Sequence, residues 1–191
     1  MTTVFIGGSR AVSKLNAPIR QRLDDLISRG CHIFVGDANG ADKAVQQHLA
    51  ARAYRNVIVF CMETCRNNIG DWETRVVRSA AKKRDFAYYA KKDVVMAQEA
   101  KCGVMLWDGK SKGTLHNVLN LVGASKKVLV YFAPEQQFFK LSSDADLQTL
   151  LARCNQRQIE RLQSSLPTPP RQRHTDCPCS SATTTRQSVP Q

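Results

Sequence analysis

Three short turns carry the residue types that phosphate chemistry needs. Gly7-Gly8-Ser9-Arg10 follows the apolar run Val4-Phe5-Ile6. Gly36-Asp37-Ala38-Asn39-Gly40-Ala41-Asp42 follows Cys31 to Val35, and Asp108-Gly109-Lys110-Ser111-Lys112-Gly113-Thr114 follows Val104 to Trp107. Glycines let backbone N–H groups approach a ligand closely, and a helix that starts there favours an anion. Three such turns on one sheet edge predict a pocket for a phosphorylated, nucleotide-like small molecule.

The elements that must hold these turns follow from hydrophobic spacing. Short continuous apolar runs at 3–8, 31–36, 57–60, 102–107 and 127–132 predict strands, and 138–141 predicts a sixth, at an edge. Between them, Ile19, Leu23, Leu26 and Ile27 recur at helical spacing up to Gly30, and 41–53 and 114–123 repeat the pattern. Residues 72–100 lack a strand pattern and read as helical pieces around a loop, and 144–162 reads as one helix capped by Ser143. Alternation of helices with continuously apolar strands predicts a three-layer α/β, Rossmann-like domain. Its mostly parallel sheet would have five to six strands covered on both faces. Ligands of such sheets bind at the carboxyl ends of the strands, where all three turns fall. The expected organisation is a domain over 1–133, an edge strand and helical extension over 134–165, and a disordered tail over 166–191 rich in Pro, Ser, Thr, Arg and Gln.

Composition narrows the setting. With 191 residues and 42% hydrophobic content, the chain can build one core. No apolar run approaches the ~20 residues of a membrane span, and no signal peptide is visible, so a cytoplasmic protein without membrane contact is expected. Seven cysteines, an odd number, argue against a disulfide framework. His174, Cys177 and Cys179 supply three metal ligands where a closed site needs four, so no metal site is expected, and no cofactor. The net charge of +12 is spread along the chain, with a denser stretch from Arg75 to Arg84. That stretch would attract nucleic acid or another polyanion, although a solvated face is the commoner meaning of such a run.

Familiar nucleotide and cation motifs fail in detail. The first turn is not G-x-G-x-x-G. Gly109-Lys110-Ser111 resembles the end of a P-loop, but Val104 stands where the earlier glycine belongs. Asp37-Ala38-Asn39-Gly40 places its glycine too early for a calcium loop. What remains is the order strand-Gly-Gly-Ser-Arg, strand-Gly-x-x-x-Gly-Ala-Asp-helix, strand-Trp-Asp-Gly-x-Ser-x-Gly-Thr-helix. In this pattern residues 1–133 resemble the SLOG superfamily of Rossmann-like domains. That superfamily includes the LOG phosphoribohydrolases, the DNA-processing protein A domain and bacterial nucleotide sensors.

The resemblance implies a role for each matching position. Gly8, Ser9 and Arg10 would line the base of the pocket, with Arg10 pairing to a phosphate. Gly36, Gly40, Ala41 and Asp42 would shape a second wall, Asp42 capping a helix or accepting a ribose hydroxyl. Ser111, Gly113 and Thr114 would donate to a phosphate, and Asp108 would orient a ribose or a water. Pairing through helices into a homo-oligomer is implied as well. One position departs from the pattern. Where the phosphoribohydrolases carry a glutamate thought to assist N-glycosidic cleavage, this chain has Asn117, and an amide cannot do the work of a carboxylate. The reading is therefore binding or sensing of a nucleotide or nucleotide-derived molecule. The alternatives are an N-glycosidic hydrolase or transferase, with Asp71, Glu73 and Asp108 as the catalytic carboxylates, and a nucleic-acid-binding protein. Trp72 would stack on a base or belong to the core.

Overall fold

A computed structural model describes residues 1–81 and 83–166. The expected tail from Pro167 onward, the His174–Cys179 cluster and Lys82 of the basic stretch lie outside the described residues. The elements run β1 (Thr3–Gly8), α1 (Ala17–Ser28), β2 (His32–Gly36), α2 (Ala41–Ala51), β3 (Val57–Met62), β4 (Glu73–Val77), α3 (Phe86–Glu99), β5 (Cys102–Trp107), α4 (Lys112–Gly123), β6 (Lys127–Phe132), β7 (Gln137–Leu141), α5 (Asp144–Leu151) and α6 (Gln156–Ser164). Seven strands form one sheet in the order β4-β3-β2-β1-β5-β6-β7, parallel throughout except for the antiparallel β7. This is the three-layer Rossmann-like α/β arrangement.

The central strands read as continuous apolar runs because both of their faces are covered. Alternate side chains divide into two cores. Phe5, Phe34, Phe60, Met105 and Trp107 meet α3, α4, α5 and α6 through Met96, Leu115, Leu147 and Ile159. Val4, Ile6, Val35, Val59 and Leu106 meet α1 and α2 through Ile19, Leu23, Val45 and Leu49.

Two expectations are corrected here. The stretch 72–100 holds a strand, β4, and then one continuous helix, α3, rather than helical pieces alone. β4 reads Glu-Thr-Arg-Val-Val and pairs on one side only, with β3 from Ile58↔Glu73 to Met62↔Val77. An edge strand tolerates exposed charge and so lacks an apolar signature. The helix expected over 144–162 is two helices, because Asn155 turns its side chain onto the Gln158 amide at 3.2 Å and starts α6 afresh.

The strand order reverses direction between β1 and β5. The chain lays β2, β3 and β4 on one side of β1, then returns through α3 to lay β5 and β6 on the other. At such a switch point the loops leaving two adjacent strands part in opposite directions and open a crevice beyond their carboxyl ends.

Candidate functional site

A cavity of about 400 Å³ occupies that crevice. Its lining comes from the turn after β1 (Gly8, Ser9, Arg10), the turn after β5 with the start of α4 (Asp108, Ser111, Gly113, Thr114), and Asp42 of α2. The remaining wall is the inner face of α3. The structure thus brings most of the expected ligand-binding residues together. Gly36, Gly40 and Ala41 stand behind the surface and shape it.

The glycines there serve packing as much as access. A Cβ on Gly40, whose φ is +84°, would fall on the Arg10 backbone. A Cβ on Gly8 would lie 2.8 Å from both the Ala41 and the Leu106 Cβ atoms. Ser9 locks the same junction: its amide donates to the Leu106 carbonyl at 2.8 Å, and its carbonyl accepts from the Ala41 amide at 3.1 Å. The first and second turns are therefore held together as one unit. Gly113 differs, since a Cβ there would meet nothing closer than Phe86 at 4.0 Å.

The third turn is closed by its own side chains. Asp108 Oδ1 accepts from the Lys110 and Ser111 amides at 3.1 and 2.7 Å. Ser111 caps α4, accepting from the Thr114 amide at 3.4 Å and the Thr114 hydroxyl at 3.0 Å. Among the described residues no acceptor meets the amides of Lys112 and Gly113, so the first turn of α4 keeps the partial positive charge of a free helix start. Arg10 is exposed at the cavity mouth. Lys110 also lines the cavity and is exposed.

Behind this surface lies a cluster of buried charge. Asp37 is 1% exposed. Arg66 Nε and Nη2 donate to its two carboxylate oxygens at 2.9 and 2.8 Å, and the Arg66 amide donates at 3.1 Å. Lys92 of α3 is 4% exposed. Its Nζ donates to Asp93 Oδ1 at 2.7 Å and stands 3.9 Å from Asp37 Oδ1. Asp42 completes the group, its Oδ2 accepting from the Ala38 amide at 3.3 Å. Gly36 has no side chain because a Cβ would strike Asp42 and Lys92.

Burial pushes the Asp42 carboxyl up to about 7, against the pull of Lys92 and with the help of Asp93. Burial also works against ionised Asp37, but Arg66 and Lys92 outweigh it and hold that carboxyl below its usual range. Burial lowers Lys92, and the carboxylates of Asp93, Asp42 and Asp37 more than restore it, so its ammonium stays charged. Asp42 accordingly caps no backbone of α2, whose N-cap is Gly40 without a side-chain bond.

Lys92, Asp93, Phe86 and Tyr89 on α3 line the same cavity, and the turns do not announce them. Their spacing, Phe86, Tyr89, Lys92, Asp93 and then Met96, is a helical stripe, and Asp85 caps it by accepting from the Tyr88 amide at 3.1 Å. That spacing is the signal by which they could be found. Phe86 and Tyr89 are half-buried in the cavity wall, and the Arg66 guanidinium lies 5.4 Å from the Tyr89 ring centroid.

Of the three candidate catalytic carboxylates, only Asp108 reaches the cavity. Glu73 begins β4 at the amino-terminal end of the parallel strands, and Asp71 is exposed just before it. Both stand at the opposite edge of the sheet from the cavity. Trp72 between them belongs to the core, its indole N–H donating to the Tyr54 carbonyl at 2.7 Å. The basic stretch is partly spent internally: Arg75 pairs with Glu99, and Arg84 with Glu63 at 2.6 Å.

Among the described residues no group of three His, Cys, Asp or Glu is placed to hold a metal, and no helix is long and apolar enough to cross a membrane. In comparisons with known proteins, no family model matches this chain and no curated protein matches it.

Proposed function

We propose that this protein binds or senses a nucleotide or nucleotide-derived small molecule in the cavity beyond β1 and β5. The observation that carries the reading is a division of chemistry within one cavity at the switch point of the sheet. At the mouth stand Arg10, Lys110 and the free amides of the α4 start, suited to a phosphate. Phe86 and Tyr89 offer ring surface to a base. The likeness of the three turns to the SLOG pattern supports the same reading.

One observation favours a second reading, cleavage or transfer of an N-glycosidic bond. Asn117 lacks the carboxylate that this chemistry uses, but Asp93 Oδ2 lies 3.4 Å from the Asn117 amide and lines the same cavity. A carboxylate from α3 thus stands beside the position where α4 lacks one.

A panel of nucleoside 5′-monophosphates and NAD-type molecules tests both readings, followed by thermal shift and by chromatography for free base. Binding predicts a rise in midpoint temperature without base release. Arg10→Ala, which removes an exposed side chain, should lower affinity about tenfold while leaving the ligand-free midpoint unchanged. Release of base would replace the first reading with the second, and the absence of any shift would sink both.

A further inference from the structure

The sheet ends differently at its two edges. At one, β7 leads directly into α5, and its two phenylalanines stack on Tyr131 and Phe132 of the neighbouring strand. At the other, β4 pairs with β3 alone, and among the described residues no backbone group bonds to its outer side. Apart from Met1, the exposed large apolar side chains of the described chain are Ile69, in the loop that leads into this strand, and Val76 within it. The free N–H and C=O groups of an edge strand are a template for another chain, and charged side chains along the strand are the common defence. In the middle of β4 that defence is withdrawn. The Arg75 guanidinium bends over the Phe34 and Phe60 rings, 5.8 and 5.1 Å from their centroids, and pairs with Glu99 of its own chain.

The remaining charges divide along the strand. Asp71 and Glu73 stand exposed at its start, and Arg78 and Lys83 stand exposed beyond its end. Among the described residues none of the four has an ion partner. The edge is thus acidic at one end, basic at the other and apolar between them at Val76. A segment with that pattern is complementary to itself turned end for end, which is what a two-fold homodimer requires of its interface. An antiparallel pair about Val76 sets the two exposed valines on each other and Arg75 opposite Val77. It also brings the acidic start of each strand beside the basic end of the other. A two-fold through Arg75 would instead put like charges directly opposite, which destabilises a strand pair.

We infer that two copies of this chain join antiparallel through β4, so that their two sheets become one continuous sheet about a two-fold axis at Val76. The occupant of the edge is a second copy rather than a foreign peptide, because both charged ends find their opposite within the same chain. The SLOG resemblance implies pairing through helices, whereas the open surface here is a sheet edge. The pairing does not rest on the nucleotide reading. β3 and β2 separate β4 from β1, so each cavity stays open about 14 Å in from the joint, three strand spacings away.

Sedimentation equilibrium of the full chain over a range of concentrations tests this. The wild type should approach twice the chain mass as concentration rises. Val76→Asp places two carboxylates at the axis, on a position that is already exposed, and should leave a monomer with an unchanged far-UV spectrum. Glu73→Lys and Arg78→Glu should each weaken the dimer at least about tenfold, because like charges then meet across the joint. Both reversals in one chain should recover most of the loss, since the charges have exchanged places. If Val76→Asp does not fold, the reversals decide, both lying at exposed positions. A wild type that stays monomeric at every concentration would overturn the pairing. A dimer indifferent to Val76→Asp and to both single reversals would overturn it too, by placing the contact on another face. A double variant as weak as the single ones would overturn the antiparallel order.

Discussion

The glycine-turn wall of the cavity and the α3 wall differ in material: backbone on one side, buried charge on the other. On the turn side, Ser9, Ala41 and Leu106 are tied by main-chain hydrogen bonds, and Gly8 and Gly40 permit the close approach. On the α3 side, Lys92 holds together carboxylates contributed by three different elements, Asp37 after β2, Asp42 on α2 and Asp93 on α3 itself. The first wall is rigid because few conformations fit it. The second is held by a balance of charges, so it responds to pH and to any change in the count of charges. A ligand that touches both walls would meet a fixed backbone surface on one side and an adjustable charged one on the other.

That difference can be broken from either side. The largest effect is expected from Lys92→Met, which leaves buried carboxylates without their ammonium; stability should fall by about 3–5 kcal/mol in denaturant titration. Gly40→Ala comes next. It forces a side chain into a left-handed conformation and against the Arg10 backbone, and should cost about 3 kcal/mol. A Gly40→Ala midpoint equal to that of the wild type would show that the two turns are not packed as one unit.

The pH response separates the walls further. The folded Asp42 carboxyl titrates near 7, above its unfolded value of 3.8. The folded state thus holds this proton more tightly, and the stability it lends is full below about pH 4 and lost as pH rises through 7. Asp37 has the opposite sign: its depressed carboxyl lends stability above its unfolded value, lost as pH falls through its folded one. Thermal midpoints measured from pH 5 to 8.5 should therefore decline more in the wild type than in Asp42→Asn, which has no such proton to lose. Parallel curves would remove Asp42 from the charge cluster. The smallest effect is expected at Gly113, where a Cβ meets open space within a helix: Gly113→Ala should stabilise by about 0.5–1 kcal/mol. Comparing it with Gly40→Ala distinguishes a glycine needed by the fold from one that leaves room beside the cavity.

The turns were legible because glycine after an apolar run is a local signal. The five inner strands were legible because burial on both faces leaves continuous apolar runs. β4 was not, since an edge strand need not be apolar, and the α5–α6 break was hidden because Asn155 ends one helical pattern only to start another. Asp71 and Glu73 looked like candidate acids in a polar loop. Their distance from the cavity is set by the register of β4 on β3, which local composition does not carry.

The layered α/β architecture, the placing of three turns at strand ends and the absence of a carboxylate at residue 117 are all written in the local sequence. All of these depend on neighbours within a few positions along the chain. Folding sets Asp93 beside Asn117, joins Lys92 to carboxylates from three elements and leaves the buried Asn117 carbonyl without a partner among the described residues. Those facts arise where α3 crosses back to α4 at the switch point of the sheet. Burial and charge there are set by residues far apart in the chain, and no local pattern encodes which of them meet.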